Sequence, residues 1–188
     1  MKHLLLMMLV LLCDVNILSA QAKAVHFRKL QEFLPTTELK GFERKKPTGQ
    51  TQSAMGMTTS EATVRYVELA KSDSVQMEMG EIPQNGTKTI EITISDISGV
   101  PFAAMAAMAY QQDYENETED GYEKSVTIKT NYRGKETVST GDYKRCEVEF
   151  MVANRFMVKL KAENTDEVKL LYNLIDGIDL AKLEKLQP

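Results

Sequence analysis

The chain has 188 residues, of which 43% are hydrophobic and 27% are charged, and its formal net charge is −4. This balance excludes an intrinsically disordered chain, and a pI near 5.4 argues against a nucleic-acid-binding protein. Two cysteines are too few for the disulfide framework of a small secreted scaffold.

The N-terminus has the three parts of a secretory signal peptide. Lys2 supplies a positive charge, residues 4–12 form an apolar run, and the small residues Ala20 and Ala22 end the segment. This run is too short to span a hydrocarbon core of about 30 Å. We therefore expect a signal peptide over residues 1–22, cleaved after Ala22 or alternatively after Ala20, and a protein that is exported to the periplasm or secreted.

Cys13 leaves a second possibility for the N-terminus. A cysteine that closes an apolar run can be the lipidated residue of a bacterial lipoprotein, but that modification prefers a small residue before it, and here Leu12 precedes it. A lipid anchor through Cys13 is therefore the minor alternative. Cleavage after Ala22 would leave Cys146 as the one cysteine of the mature chain, and its alternating sequence context predicts that its side chain is buried.

A short helix and a turn-rich segment open the mature chain. Leu30, Phe33 and Leu34 have helical spacing, and Pro35 ends the helix. Residues 35–60 are rich in glycine, proline, serine and threonine and therefore predict turns, with Phe42 anchoring the segment to the core.

Alternation of apolar and polar residues predicts about six strands in the rest of the chain. The clearest lie over residues 61–70, 88–97, 122–130, 146–152 and 156–161, and two shorter runs, 75–79 and 136–139, also alternate. A tight turn at Ala153-Asn154 joins the last two strands into a hairpin.

Three helices are predicted among and after these strands. Pro101 begins an alanine- and methionine-rich helix over 101–110, in which Phe102, Met105 and Ala109 form one buried stripe. A second helix covers 165–175, and a third covers 178–186. The second helix has its apolar side chains on one face, namely Val168, Leu171, Tyr172 and Ile175.

These elements predict one α+β domain over residues 23–188. Its centre is a mostly antiparallel sheet of about six strands with packed helices. The pattern leaves open whether the helices cover one face, as in a two-layer fold, or both faces, as in an α/β/α sandwich.

The order of several short motifs resembles that of a family of uncharacterised exported bacterial proteins. The matching segments span roughly residues 30–186 and are, in chain order, Phe33-Leu34-Pro35, Gly41-Phe42, Ser53-Ala54-Met55-Gly56 leading to Tyr66, Ile94 to Asp96 before the 101–110 helix, Arg155-Phe156-Met157-Val158, and Ile178-Asp179 to Leu183. The resemblance implies an exported bacterial protein but no activity and no site residues. A more distant likeness of pattern is to the extrinsic oxygen-evolving protein of the photosystem, an antiparallel sheet between helices.

An acidic run is a weak candidate for a metal site. Asp113, Glu115, Glu117, Glu119 and Asp120 offer the carboxylate oxygens that Ca²⁺ prefers. The run lacks the residue spacing of a calcium-binding loop. A solvated loop is therefore the simpler interpretation.

Paired methionines are a second weak candidate. Met55 and Met57, like Met77 and Met79, share a face if the chain is extended, and thioethers suit Cu(I). Methionine also fills irregular apolar surfaces, which is the simpler interpretation.

The sequence contains none of the common catalytic motifs: no glycine-rich phosphate loop, no paired-histidine zinc motif and no Gly-x-Ser-x-Gly turn. We therefore expect a non-enzymatic exported protein without a cofactor, a binding or assembly module of the cell envelope. The alternatives are a small-ligand carrier with a pocket between sheet and helices, and a carboxylate-based hydrolase. The expected partner is an envelope protein or a small ligand and not nucleic acid. No membrane span is predicted after the signal peptide, and the oligomeric state stays open.

Overall fold

Nine strands and four short helices make up the part of the chain that the computed structural model describes, residues 23–54, 56–69, 86–100 and 103–187. The helices are α1 (Phe27–Gln31), α2 (Ala103–Ala109), α3 (Lys169–Asp176) and α4 (Leu180–Glu184). The strands are β1 (Phe42–Arg44), β2 (Thr48–Ala54), β3 (Met57–Glu68), β4 (Thr89–Asp96), β5 (Glu115–Thr118), β6 (Gly121–Ile128), β7 (Tyr132–Ser139), β8 (Arg145–Val152) and β9 (Phe156–Glu163). None of these helices combines the length and the apolar character that crossing a membrane requires.

The strands belong to one antiparallel sheet. Their order is β1-β3-β4-β9-β8-β7-β6-β5, and β2 pairs with β3 on the same side as β1. Strands β5 to β9 form a meander, and the connection from β4 carries α2 before the chain reaches β5 at the far edge. Because β9 returns to pair with β4, residues far apart in sequence meet at the centre of the sheet.

One face of the sheet, here called the inner face, holds the core. Ile90, Ile92 and Ile94 of β4 are fully buried, and the residues between them are only partly covered. The same period of two continues through β9 and through β8 as far as Phe150. Helices α1, α3 and α4 cover this face with the buried side chains of Leu30, Leu171, Leu174, Ile175, Leu180 and Leu183. Each such burial stabilises the fold by roughly 1.5–3 kcal/mol.

The opposite face, here called the outer face, is mostly polar, although Met151 is buried on it. Thr93, Lys159, Glu149 and Lys135 are successive cross-strand neighbours on it. Helix α2 lies on this face, since Tyr110, the residue directly after it, donates its hydroxyl to Glu149 Oε1 at 3.0 Å. The end of α2 therefore lies beside the outer face, opposite the helices that cover the inner face.

The mostly antiparallel sheet is confirmed, and it is accompanied by a few small helices. The expected number of about six strands is wrong, because the sheet has nine. Two of the missed strands, β1 and β2, lie in the segment 35–60 that was expected to form turns, and β5 lies in the acidic run. Strand β2 is exposed along its whole length. A strand with no buried face needs no apolar alternation, so its sequence carries no strand signal.

The prediction of a buried stripe along the alanine- and methionine-rich helix is also wrong. Met105 is 65% exposed, Ala109 is exposed, and Ala107 is the residue that is buried. The face beside this helix carries polar side chains such as Glu149, so the small Ala107 is covered there and Met105 and Met108 face solvent. Phe102 and the predicted strand 75–79 lie outside the described residues.

The helix predicted over 165–175 begins later, at Lys169. Thr165 Oγ1 accepts the Glu167 N–H at 3.2 Å, which holds the preceding residues in a turn. Its predicted apolar face is confirmed, with Leu171 and Ile175 fully buried.

A buried carboxylate joins both ends of the described chain to the sheet. Asp96, at the end of β4, is fully buried, and Arg155 donates to it from Nη2 at 2.7 Å. The backbone N–H of Val25 donates to the same carboxylate at 2.7 Å, and that of Ser98 at 3.0 Å. Arg155 also reaches the carbonyl oxygens of Lys23 and Leu186, each at 3.4 Å. We call these groups the Asp96–Arg155 clasp.

A second buried carboxylate lies between the sheet and α3. Glu136 of β7 is 4% exposed and accepts the hydroxyls of Tyr122 at 2.6 Å and of Tyr172 at 2.5 Å. Lys124 Nζ lies 3.3 Å from the same carboxylate. These bonds attach α3 to the β6–β7 part of the inner face.

Cys146 is fully buried, as predicted, between Val138 and Ala162 of the neighbouring strands. Burial, reinforced by nearby carboxylates, raises the pKa of its thiol to about 12. Because the thiolate is the reactive form, we expect the native protein to resist iodoacetamide at about pH 8 and the unfolded protein to be alkylated completely. Mass spectrometry of the quenched reactions measures the difference, and rapid alkylation of the native protein would contradict the buried position.

Candidate functional site

Helix α2 presents two methionines to solvent. Met105 and Met108 are 65% and 68% exposed, and their spacing of three places them on the same side of the helix. Ala107, between them in sequence, is buried. The helix therefore turns a small residue inward and its large apolar residues outward, the reverse of the usual amphipathic arrangement.

A group of polar side chains lies beside the end of this helix, on the outer face. Tyr110 Oη donates to Glu149 Oε1 at 3.0 Å, and Tyr114 Oη donates to Glu123 Oε1 at 2.8 Å. Lys135 Nζ lies between the two carboxylates, 3.1 Å from Glu149 and 3.8 Å from Glu123. We call these five residues the tyrosine–glutamate cluster.

Strand register brings the cluster together. Lys135 of β7 pairs with Glu149 of β8 on one side and with Ser125 of β6 on the other. The backbone of Tyr114 bonds to Ser125, which places the Tyr114 ring beside the same row. Glu123 lies in the next row, where it also accepts the Thr137 hydroxyl at 3.2 Å.

Each ionisable group of the cluster with a shifted pKa is stabilised in its ordinary charge state. The Tyr114 hydrogen bond, helped by Lys135, holds the pKa of Glu123 below its usual value. Burial alone would lower the pKa of Lys135, but Glu149 and Glu123 outweigh it and raise that pKa. Burial and the adjacent glutamates raise the pKa of both tyrosines. At neutral pH the two tyrosines are therefore neutral hydroxyl donors, Glu123 is a carboxylate and Lys135 is an ammonium. Hydrogen bonds and ion pairs join these groups to one another and to Glu149.

A cavity of about 270 Å³ opens beside the cluster, lined by Ala109, Tyr110, Tyr114, Gly134, Lys135 and Glu149. Position 134 requires glycine because the backbone of β8 lies very close to it. A Cβ there would lie 2.3 Å from the carbonyl oxygen of Glu149. The cavity is smaller than the 300–1,000 Å³ typical of small-molecule sites, so it suits a single inserted side chain better than a whole ligand.

The acidic residues predicted as a weak metal site are spread along the edge of the sheet. Asp113 forms an ion pair with Arg133. Glu115 and Glu117 lie in β5, opposite Lys124 and Tyr122 of β6. Glu119 and Asp120 form the turn between β5 and β6. Among the described residues, no group of three or more His, Cys, Asp or Glu side chains is placed to hold a metal ion.

The methionine pairs considered for copper fall largely outside the described residues. Met57 begins β3 and is half-buried, whereas Met55, Met77 and Met79 are not described. Two other methionines, Met151 and Met157, lie opposite each other on the outer face.

A larger cavity, of about 480 Å³, lies between the β6–β7 turn and the region where α3 meets α4. Its lining residues are Lys129, Asn131, Tyr132, Asp176, Gly177, Ile178, Asp179, Leu180 and Ala181. Lys129 Nζ donates to the Ile178 carbonyl at 3.1 Å and so closes one side of it. This cavity is at the rim of the fold, whereas side chains such as Phe150, Leu171 and Leu174 fill the space between the inner face and α3.

Sequence reasoning did not identify the tyrosine–glutamate cluster. Alternation alone places Glu123, Lys135 and Glu149 at solvent-facing positions of their strands. Which of them are neighbours depends on register between strands, and Tyr110 and Tyr114 reach the group only because the β4–β5 connection crosses the outer face. The one available signal was the pair of tyrosines that follows the alanine- and methionine-rich helix.

No protein-family model, no curated protein and no solved structure matches the chain.

Proposed function

We propose that the protein is a non-enzymatic, exported binding module of the cell envelope that recognises a partner protein through α2. The observation that carries the proposal is the outward position of Met105 and Met108, which are about two-thirds exposed on a helix whose end is attached to the sheet by Tyr110. Flexible, polarisable methionines are favoured on protein-binding surfaces. We call Met105, Met108 and Ala109, with the adjacent 270 Å³ cavity, the α2 surface.

The tyrosine–glutamate cluster gives this surface a fixed position. Tyr110 follows α2 directly, and its bond to Glu149 attaches the end of the helix to β8. Tyr114 attaches the segment after the helix to β6 in the same way, through its hydrogen bond to Glu123. A surface that is ordered before binding loses less conformational entropy when the partner arrives. In this proposal the partner covers the two methionines and inserts one side chain into the cavity.

The state of the carboxyl groups supports a binding role over hydrolysis. A carboxylate-based hydrolase needs one carboxyl group with a raised pKa, so that it can donate a proton at neutral pH. In the described residues, every carboxyl group with a shifted pKa is shifted downward, because hydrogen bonds and cations favour its charged form. These groups are Asp96, Glu123, Glu136, Glu163 and Asp166.

The position of the cavities favours a protein partner over a small ligand. A carrier was expected to hold its ligand between the sheet and the helices, where buried side chains fill the space. The 480 Å³ cavity at the rim is open and has charged residues at its edge. A carrier function would also leave the exposed position of Met105 and Met108 unexplained.

The fold near the predicted cleavage point is compatible with removal of residues 1–22, the signal peptide of the proposed export. Ala24 and Val25 are buried, and the Val25 N–H donates to Asp96. Cleavage after Ala22 would leave all of these contacts in the mature chain. Mass spectrometry of the protein from envelope fractions is expected to find Lys23 at the N-terminus, and a lipid-modified Cys13 there would contradict this part of the proposal.

Affinity capture with paired variants tests the binding surface. The full chain, tagged at its C-terminus and expressed in its own cells, is expected to retain one envelope protein reproducibly. Met105→Glu combined with Met108→Glu should lower the recovered amount at least about tenfold, because charge replaces buried apolar contact at the centre of the interface.

The matched control places the same two glutamates on exposed apolar residues elsewhere. Leu69 is 54% exposed and Tyr143 is 88% exposed. Leu69→Glu with Tyr143→Glu should leave the recovered amount unchanged, and both double variants should keep the wild-type urea midpoint. Full retention of the partner by the methionine variant, or failure to recover any reproducible partner, would contradict the proposal.

A further inference from the structure

Strand β2 forms an edge of the sheet without the features that normally protect such an edge. All its residues, Thr48 to Ala54, are exposed, and none is charged or proline. It pairs with β3, and no other strand of the described chain pairs with its second side. Antiparallel pairing directs the N–H and C=O groups of about every second residue away from β3. Strand β2 therefore offers a row of backbone donors and acceptors to an added strand.

The opposite edge of the sheet is protected by charge. Strand β5 is exposed and carries Glu115 and Glu117. Asp113, Glu119 and Asp120 flank it. Two copies of this strand would bring carboxylates together, and like charges on paired strands are destabilising. The two edges thus differ, one being closed to self-pairing and the other open.

We propose that β2 is the interface of a homodimer, in which the β2 strands of two copies pair antiparallel about a two-fold axis and join the sheets into one. When the pairing is centred on Thr51, Gln50 lies opposite Gln52 of the second copy. Both amides donate and accept hydrogen bonds, and within one chain Gln52 Nε2 already donates to Gln50 Oε1 at 3.0 Å. No two charged residues meet in this register, so the strand is complementary to itself.

Helix α1 holds β2 in place on the inner side. The Phe27 N–H donates to Thr51 Oγ1 at 3.2 Å, and Thr51 Oγ1 lies 2.8 Å from Ser60 Oγ. The half-buried ring of Phe27 lies beside Gly49, where a Cβ would come within 2.7 Å of it. A second copy would meet an edge that is already ordered, and the uncovered part of this ring would give it an apolar contact.

The size of the interface sets the expected affinity. Two strands of this length bury less surface than the roughly 1,200–2,000 Å² of stable complexes. We therefore expect a reversible dimer with a dissociation constant on the order of micromolar rather than a permanent one. Sedimentation velocity of the mature protein, from about 1 µM to about 1 mM, should show monomer converting to dimer.

Charged variants test the register. Gln50→Lys with Gln52→Lys brings four lysines together at the two-fold axis and should raise the dissociation constant at least about tenfold. Gln50→Glu with Gln52→Glu should do the same through carboxylates. Mixing the two variants in equal amounts places lysines opposite glutamates, so a heterodimer should form at least as tightly as the wild-type dimer. Recovery on mixing also shows that both variants are folded.

Two controls separate this interface from other surfaces. Asn116→Lys with Thr118→Lys adds the same charge to β5 and should leave dimerisation unchanged. Met105→Glu with Met108→Glu should also leave it unchanged, because α2 takes no part. A wild-type protein that stays monomeric up to about 1 mM, assemblies larger than a dimer, or charged variants that dimerise like the wild type would each overturn the proposal.

Discussion

Arg155→Met is expected to lower the free energy of unfolding by about 3–5 kcal/mol, because it leaves a buried carboxylate without its cation. Asp96 is fully buried, and the side chain of Arg155 is 16% exposed. Such a loss is a large fraction of the roughly 5–15 kcal/mol that stabilises a typical domain. Urea unfolding at about pH 7 measures it.

Two companion variants show that the loss comes from the buried charge. Arg133→Met breaks an ion pair whose carboxylate, Asp113, is 81% exposed, so it should cost less than about 1 kcal/mol. Adding Asp96→Asn to Arg155→Met removes the uncompensated charge and should restore part of the stability. Equal losses for Arg155→Met and Arg133→Met would contradict this account of the clasp.

The clasp also predicts how stability depends on pH. Burial alone would raise the pKa of Asp96, but Arg155 and the N–H groups of Val25 and Ser98 outweigh it and lower that pKa. The contribution of Asp96 is therefore complete above its unfolded-state pKa, near 3.9, and is lost as the pH falls through the lower folded-state value. The stability difference between wild type and Asp96→Asn should accordingly be largest at neutral pH and shrink below about pH 4.

Tyr172→Phe is expected to lower the free energy of unfolding by about 1.5–3 kcal/mol, the usual effect of removing a hydrogen bond to a charged group. The hydroxyl lies 2.5 Å from Glu136, which is 4% exposed and has no water shell to replace it. Tyr132→Phe is the matched control, since its hydroxyl donates at 3.2 Å to the exposed Glu184. That control should change stability by less than about 0.5 kcal/mol.

The pH dependence of the Tyr172 variant has a definite sign. Burial alone would raise the pKa of Glu136, but the hydroxyls of Tyr122 and Tyr172 and the ammonium of Lys124 outweigh it and lower that pKa. The stabilisation from Glu136 is present above its unfolded-state pKa, near 4.3, and is lost as the pH falls. Removing one hydroxyl raises the folded-state pKa, so Tyr172→Phe should begin to lose stability at a higher pH than wild type. Coincident acid unfolding curves would contradict this role.

The parts of the fold with a buried face were predictable from the sequence. Strand 88–97 was predicted, and β4 covers Thr89–Asp96, because a sheet with one buried face imposes a strict period of two. The burial of Cys146 follows from the same rule, and the apolar face of α3 follows from the helical period of 3.6 residues. Strand β2 has no buried face and left no pattern. Met105 and Ala109 of α2 were expected inside because the sequence does not tell which face of the sheet lies beneath a helix.

The polar contacts were not predictable, because they join residues that are distant in sequence. Asp96 and Arg155 belong to two of the short motifs behind the family resemblance, yet only the pairing of β4 with β9 brings the two together. In the same way Tyr66, the end of another motif, donates its hydroxyl to the carbonyls of Pro35 and Thr37, each at 3.0 Å. The topology of the sheet, which the motifs do not specify, determines what these residues contact.

Site-specific photo-cross-linking in intact cells tests the central claim, that α2 binds a partner protein, most directly. A photoreactive amino acid replaces Met108 in one strain and Tyr143, which is 88% exposed, in a second. We predict one discrete cross-linked species from position 108 and none from position 143. Cross-links at position 143 with none at position 108, or the same species from both, would contradict the claim.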